Sequence, residues 1–429
     1  MVITLRKSVR FLQRFPYNIR LVLAIFLLGL VSGLAGIFLH YLLEIVEKLA
    51  FGHSEHDVSF LTDGVSPVRM TIALLLIGLS SALIWFRLQR KDTILSIKGQ
   101  MKEADTVVRS KCRFSKQLLH SVWQIVAVGG GAPIGKEGAP REIGALLATP
   151  LANFFDLKIR DRIFLIASGA GAGLAAVYQV PLTSVFFVFE TLGLAFSIKR
   201  FVLVSLMTYV SAYIARLVVS TPPLYRTPTV SWSIDLVCFL PMIVLSIAPL
   251  ALLFAWLTKK ATLHRIKDRR ILFSLPLTFL FIALVASYFP HLLGNGRMMA
   301  QEVLNGTTVE MGLLLFFLKA LFVLFTLWVG AYGGTLTPSF ALGMTGGFLL
   351  TMVLGIDGNS AIMLLGSVCF LSVTLRAPLS ATGLVFVFTG QALNSLPYLL
   401  ATAYLAYYLV ERMAQANDLF FLKRMLRKQ

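Results

Sequence analysis

Long apolar stretches recur along the chain, among them 21–46, 70–86, 201–219, 237–257 and 312–329, with basic or mixed polar segments between them. Each is long enough to cross about 30 Å of hydrocarbon as a helix. The pattern predicts an all-α, polytopic membrane protein. A cleaved signal peptide does not account for the first stretch, because residues 1–20 run into a full-length span without a small-residue cleavage site.

The chain also resembles itself. Gly169 is followed twelve residues later by Pro181-Leu182-Thr183 and an apolar run, and Gly366 twelve residues later by Pro378-Leu379-Ser380 and a similar run. Upstream, Gly135-Lys136-Glu137-Gly138 lies 46 residues before Pro181, and Gly333-Gly334-Thr335-Leu336 lies 45 before Pro378. Two landmarks at one offset of 197 to 198 residues predict a structural repeat, with a first half at about 20–219 and a second at about 233–412. Both landmarks place Gly and Pro inside apolar sequence, where they interrupt the helical hydrogen-bond ladder. Unpaired backbone at membrane depth is tolerated only where protein buries it or it lines a cavity. Corresponding broken helices in two halves therefore point to a transport site.

Composition agrees with a lipid solvent: hydrophobic residues make up 57% and charged ones 14%, and mean hydropathy is +0.81. The net charge of +19 sits in short blocks between spans, which argues against nucleic-acid binding and instead orients the protein. Arg6 to Arg20 precede the first span and Arg87 to Lys116 follow the second, whereas the segment between carries Glu55, Asp57 and Asp63. Both basic blocks, the loop with Lys259 to Arg270, and the C-terminus are expected in the cytoplasm. Cys112, Cys238 and Cys369 are scattered, without metal-ligand or disulfide spacing. No HExxH or catalytic Ser/His arrangement is present, and His40, His120, His264 and His291 read as isolated, so no enzyme, cofactor or metal is expected.

A helix starting after a break presents its first N–H groups and the positive end of its dipole, which suits a small anion. Close helix packing is the other use of such glycines. Glu137, flanked by glycines in apolar sequence, is expensive there and marks an ion pathway or proton relay. Its carboxylate is expected to compete with the anion for the N–H groups and to leave on protonation. A structural pair with Lys136 or Arg141 is the alternative.

These residues resemble the CLC family of chloride channels and proton-coupled anion antiporters. Gly135-Lys136-Glu137-Gly138-Ala139 is similar to its G[KR]EGP motif, Gly333-Gly334-Thr335-Leu336-Thr337-Pro338 to its GGxFxP motif, and Gly294-Asn295-Gly296 falls in family order. The resemblance implies two repeated halves of inverted topology with interrupted helices meeting at mid-membrane, and a homodimer with one pore per subunit. It makes Glu137 the gating and proton-carrying glutamate, with an anion site at Ser96, Gly135, Lys136, Gly138, Ala139, Gly334, Thr335, Leu336 and Phe420. Around Ser96 the chain reads Leu95-Ser96-Ile97-Lys98-Gly99 where the family has GSGIP, so Ser96 reads equally as a helix cap. The inner-gate tyrosine falls on Phe420 or Phe421. The inner proton glutamate of many antiporters falls on Thr191, beside Glu190, which leaves coupling open. With Gln429 as its last residue, the chain is expected to be a compact prokaryotic-type member, without the cystathionine-β-synthase-type domains of larger members. The expected function is transport of chloride or a similar anion in exchange for protons across the inner membrane. A fluoride/proton antiporter and a passive pH-gated channel are the alternatives.

Overall fold

A computed structural model describes residues 14–54, 64–89, 94–105, 114–219, 223–228, 230–356 and 359–415. Cys112, Phe420 and Phe421 lie outside them, as do the first residues and the C-terminal tail. The described residues form sixteen α-helices and no strand. In the first half these are α1 (Tyr17–Phe51), α2 (Pro67–Gln89), α3 (Ile97–Asp105), α4 (Phe114–Gly129), α5 (Gly138–Phe154), α6 (Ile159–Tyr178), α7 (Pro181–Glu190) and α8 (Ile198–Arg216). The second half follows the same order with α9 (Leu236–Leu263), α10 (Ile271–Ala286), α11 (Arg297–Asn305), α12 (Val309–Trp328), α13 (Leu336–Val353), α14 (Ser360–Leu375), α15 (Pro378–Phe388) and α16 (Leu396–Gln415). Helices α1, α2, α8, α9, α12 and α13 are long and apolar enough to cross a membrane.

Local chemistry sets the boundaries. Ser197 caps α8 through Arg200 N–H, Thr308 caps α12 through Met311 N–H, and Asn359 caps α14 through Ala361 and Ile362 N–H. Pro181 and Pro378 occupy the first turns of α7 and α15, where a missing N–H costs nothing.

The repeat extends to backbone detail. Gln179, after α6, and Arg376, after α14, are both left-handed, each at φ 53°. Such a conformation is unfavourable for residues with a Cβ. Side chains hold both in place: Gln179 Nε2 donates to the Val219 carbonyl at 2.6 Å, and Arg376 pairs with Glu411.

The chain divides into two compact units, one of segments Met1–Leu43, Arg87–Ile125 and Glu137–Thr221, the other of Glu44–Phe86, Val126–Lys136 and Pro222–Gln429. In the first unit α5 crosses α6 at Gly144, Gly169 and Gly173. A Cβ on Gly144 would stand 2.0 Å from the Gly169 carbonyl oxygen, and one on Gly173 1.9 Å from that of Pro140. Helix α1 lies on α8 through Gly29 and Gly33, again with backbone 2.8 Å from an added Cβ. In the second unit α13 crosses α14 in the same manner, with a Cβ on Gly343 placed 2.6 Å from the Gly366 carbonyl oxygen. Where lipid supplies no hydrophobic drive between helices, close small-residue packing of this kind is one source of association.

Candidate anion and proton site

Helices α4 and α12 end alike. Gly131 and Gly330 take the positive φ values of 102° and 126° that close a helix, followed by Ala132 N–H to the Ala127 carbonyl and Ala331 N–H to the Thr326 carbonyl. The loops therefore correspond at an offset of 199, slightly more than the 197 to 198 of the sequence landmarks.

Beyond these ends the two loops meet within the second unit. Gly135 N–H donates to the Gly334 carbonyl at 2.7 Å and Gly334 N–H to the Gly135 carbonyl at 2.8 Å. This two-residue antiparallel bridge satisfies backbone that has left its helix at membrane depth. Gly294 N–H adds a bond to the Gly131 carbonyl at 3.1 Å. The segment with Gly294 is fastened in turn by Lys319, fully buried on α12, whose Nζ donates to the carbonyls of Leu292 and Gly294 at 2.8 and 2.7 Å. Beside the second loop, Arg265 stacks over the Tyr332 ring at 3.7 Å and donates to the Leu327 carbonyl.

Each loop delivers a helix start. Glu137 is fully buried and occupies the N-cap of α5, but its side chain does not cap the helix, which begins with Gly138 and Ala139. Arg141 Nε donates to the Glu137 backbone carbonyl at 2.7 Å and its guanidinium lies over the Phe187 ring at 5.4 Å, so this cation is directed at backbone and ring. Lys136, just before, is half-buried. Thr335 is the N-cap of α13 with no side-chain cap bond, and Leu336 opens that helix.

The remaining expected residues sit elsewhere in the first unit. Ser96 is exposed and caps α3, accepting from Gly99 N–H at 3.1 Å. Glu190 ends α7, and Thr191 follows it as C-cap.

Two features were missed by sequence reasoning. Lys319 is one, although a lysine inside the apolar run 312–329 is itself a signal. The other concerns His120. Far from isolated, its Nε2 stands 3.7 Å from a Glu142 carboxylate oxygen. The same oxygen accepts from Ser121 Oγ at 2.9 Å and Gln124 Nε2 at 3.0 Å, with Gln117 Nε2 at 3.5 Å. Gln117, His120, Ser121 and Gln124 recur at helical spacing on α4, a legible polar stripe whose partner lies on the next helix. His291 likewise has Glu302 3.7 Å away.

An all-helical, repeated membrane domain whose broken helices open onto buried motif residues is a transport domain. The chain belongs to the voltage-gated chloride channel (CLC) family, whose profile matches residues 77–411. It is 28% identical to the voltage-gated ClC-type chloride channel ClcB of Salmonella typhi over 392 residues, 85% of this chain and 90% of that protein. Against the H(+)/Cl(-) exchange transporter ClcA of Vibrio campbellii it is 27% identical over 303 residues, covering 64% and 62% of the two chains. The fold matches that of a slow cyanobacterial Cl-/H+ antiporter with a TM-score of 0.78 at 20% identity, covering 97% of this chain and 99% of that one.

Proposed function

We propose that this protein exchanges chloride, or a similarly small inorganic anion, for protons, with Glu137 as gate and proton carrier. The observation that carries this reading is a fully buried carboxylate at the N-cap position of a helix that its side chain does not cap. Ionised, the carboxylate competes with an anion for the N–H groups of Gly138 and Ala139; protonated, it withdraws and carries a proton with it. The start of α13, at Thr335 and Leu336, offers a second set of backbone donors of the same kind, with Gly334 held beside them by its bridge to Gly135. The exchanger name carried by the Vibrio relative supports coupling. The channel name of the Salmonella relative favours a second reading, a passive pathway that Glu137 gates by pH.

The protein acts as a transporter and not an enzyme, as a homodimer in the inner membrane with cytoplasmic termini. Proteoliposome efflux of chloride and of fluoride under imposed pH gradients tests the reading. In wild type an anion gradient drives protons uphill. Glu137→Gln keeps the shape but cannot ionise, so anion flux persists and proton movement vanishes. Wild type without uphill proton movement but with pH-dependent flux establishes the channel. Coupled transport surviving in Glu137→Gln removes the proposed role of this glutamate.

A further inference from the structure

Helix α4 buries four polar side chains on one stripe: Gln117, His120 and Ser121 are 0% exposed and Gln124 1%. Polar groups at membrane depth are costly, and they tend to serve ion or proton pathways. Here all four are within 3.7 Å of one oxygen, Oε2 of Glu142 on α5, whose side chain is 18% exposed. The contacts are two amides, a hydroxyl and an imidazole. The two amides and the hydroxyl donate to the carboxylate and the imidazole stands beside it, so no fixed cation among these four groups holds it in its charged form.

Ser121 Oγ lies 2.9 Å from Glu142 Oε2 and 3.0 Å from the Gln117 carbonyl oxygen. The hydroxyl donates to Glu142 when that carboxylate is ionised. When Glu142 carries a proton, the hydroxyl turns to the carbonyl and offers its lone pairs instead. Gln117 extends the network to the segment before α3, its Oε1 accepting from Leu95 N–H at 3.0 Å.

Placement completes the argument. Glu142 follows Glu137 by five residues on α5, about 7.5 Å along the axis at the usual helical rise. Glu137 is fully buried whereas the Glu142 side chain is partly exposed. The stripe occupies the first turns of α4, directly after the basic segment expected in the cytoplasm. Other charged side chains on the surrounding elements include Lys98, Lys102 and Glu103 on α3 and Lys116 on α4. On α5 itself Arg141 is turned to the Glu137 carbonyl. At the start of α6, Asp161 is bonded to Tyr17 and Arg162 to Asn153, with Arg160 beside them.

We propose that Glu142, with His120 beside it, is the inner proton-holding site of this protein, taking a proton from cytoplasmic water and releasing it toward Glu137. The inference rests on the anion/proton exchange reading above. It supplies a titratable relay where Thr191 offers none. One proton enters as one leaves, and the carboxylate returns to its ionised, Ser121-bonded state.

The test measures anion efflux and proton uptake in parallel on the full chain in proteoliposomes. Glu142→Gln keeps the shape of the side chain but replaces the carboxylate with an amide that cannot carry a proton. It is expected to lower the number of protons taken up per anion released about tenfold or more. His120→Gln is expected to shift the pH profile of proton uptake relative to that of anion efflux. A purely structural cluster predicts that efflux and uptake fall together or not at all, and an unchanged proton-to-anion ratio in Glu142→Gln overturns the proposal. If Glu142→Gln does not fold, His120→Gln and Ser121→Ala decide, and wild-type ratios and pH profiles in both overturn it. Wild type that moves no protons rejects exchange itself, and this relay with it. Coupling lost in Glu137→Gln but kept in Glu142→Gln rejects only the relay.

Discussion

Lys319 places an amine in the apolar middle of α12, and two carbonyls on the loop before α11 are its partners. Replacing it with methionine keeps an unbranched side chain one heavy atom shorter and leaves both carbonyls without this donor. At about 1 to 2 kcal/mol for each buried acceptor, Lys319→Met is expected to lower stability in detergent by about 2 to 4 kcal/mol, read by chemical denaturation. Wild-type stability would mean that water replaces the amine. A bulky side chain at Gly334 is a sharper probe, because its backbone exchanges both hydrogen bonds with Gly135. Gly334→Leu should abolish anion flux while leaving membrane insertion intact, and wild-type flux would relegate this glycine to packing. At this scale the sequence was legible where a residue is chemically out of place. Glu137 stands out among glycines, and Lys319 stands out equally in its apolar run. The bond from Arg141 to the Glu137 carbonyl was not legible, since a charge four residues from a carboxylate suggests an ion pair.

Among the elements, neighbouring glycines of α13 give opposite expectations. A Cβ on Gly347 would stand 2.6 Å from Met363 Cα on α14, whereas one on Gly346 meets Ile247 at an ordinary 3.7 Å. Gly347→Ala is expected to destabilise by about 1 to 3 kcal/mol through forced separation of the helices. Gly346→Ala should be neutral or stabilising by up to about 1 kcal/mol, from the better helix propensity of alanine. Thermal unfolding of the two variants in one detergent checks this, and equal losses would show that the crossing is not set by backbone approach. The paired helices were legible because Pro and Gly punctuate both halves at one offset. The left-handed Gln179 and Arg376 were not, because neither residue type announces that conformation and both depend on partners about 35 to 40 residues away in sequence. The stripe on α4 was readable in spacing, but its purpose depends on Glu142, which only packing brings within reach.

For the whole molecule, charge asymmetry makes the prediction. Cysteines replacing Lys98 or Lys267 in a background without native cysteines should react with an impermeant reagent only from the cytoplasmic side. External labelling at either position would reverse the orientation. The all-helical, repeated character of the chain was legible from hydropathy and spacing alone. Its division into compact units was not, since the second gathers Glu44–Phe86 and Val126–Lys136 from within the first half. The bridge between Gly135 and Gly334 has a further consequence in time. Its partners are 199 residues apart, so at about 5 to 20 residues per second a ribosome needs roughly 10 to 40 seconds to deliver the second after the first. Throughout that interval the first loop lies in the membrane with donors and acceptors that its final partner has not yet reached. Biogenesis therefore demands a temporary host for it, in the insertion machinery or in water drawn in beside the nascent helices.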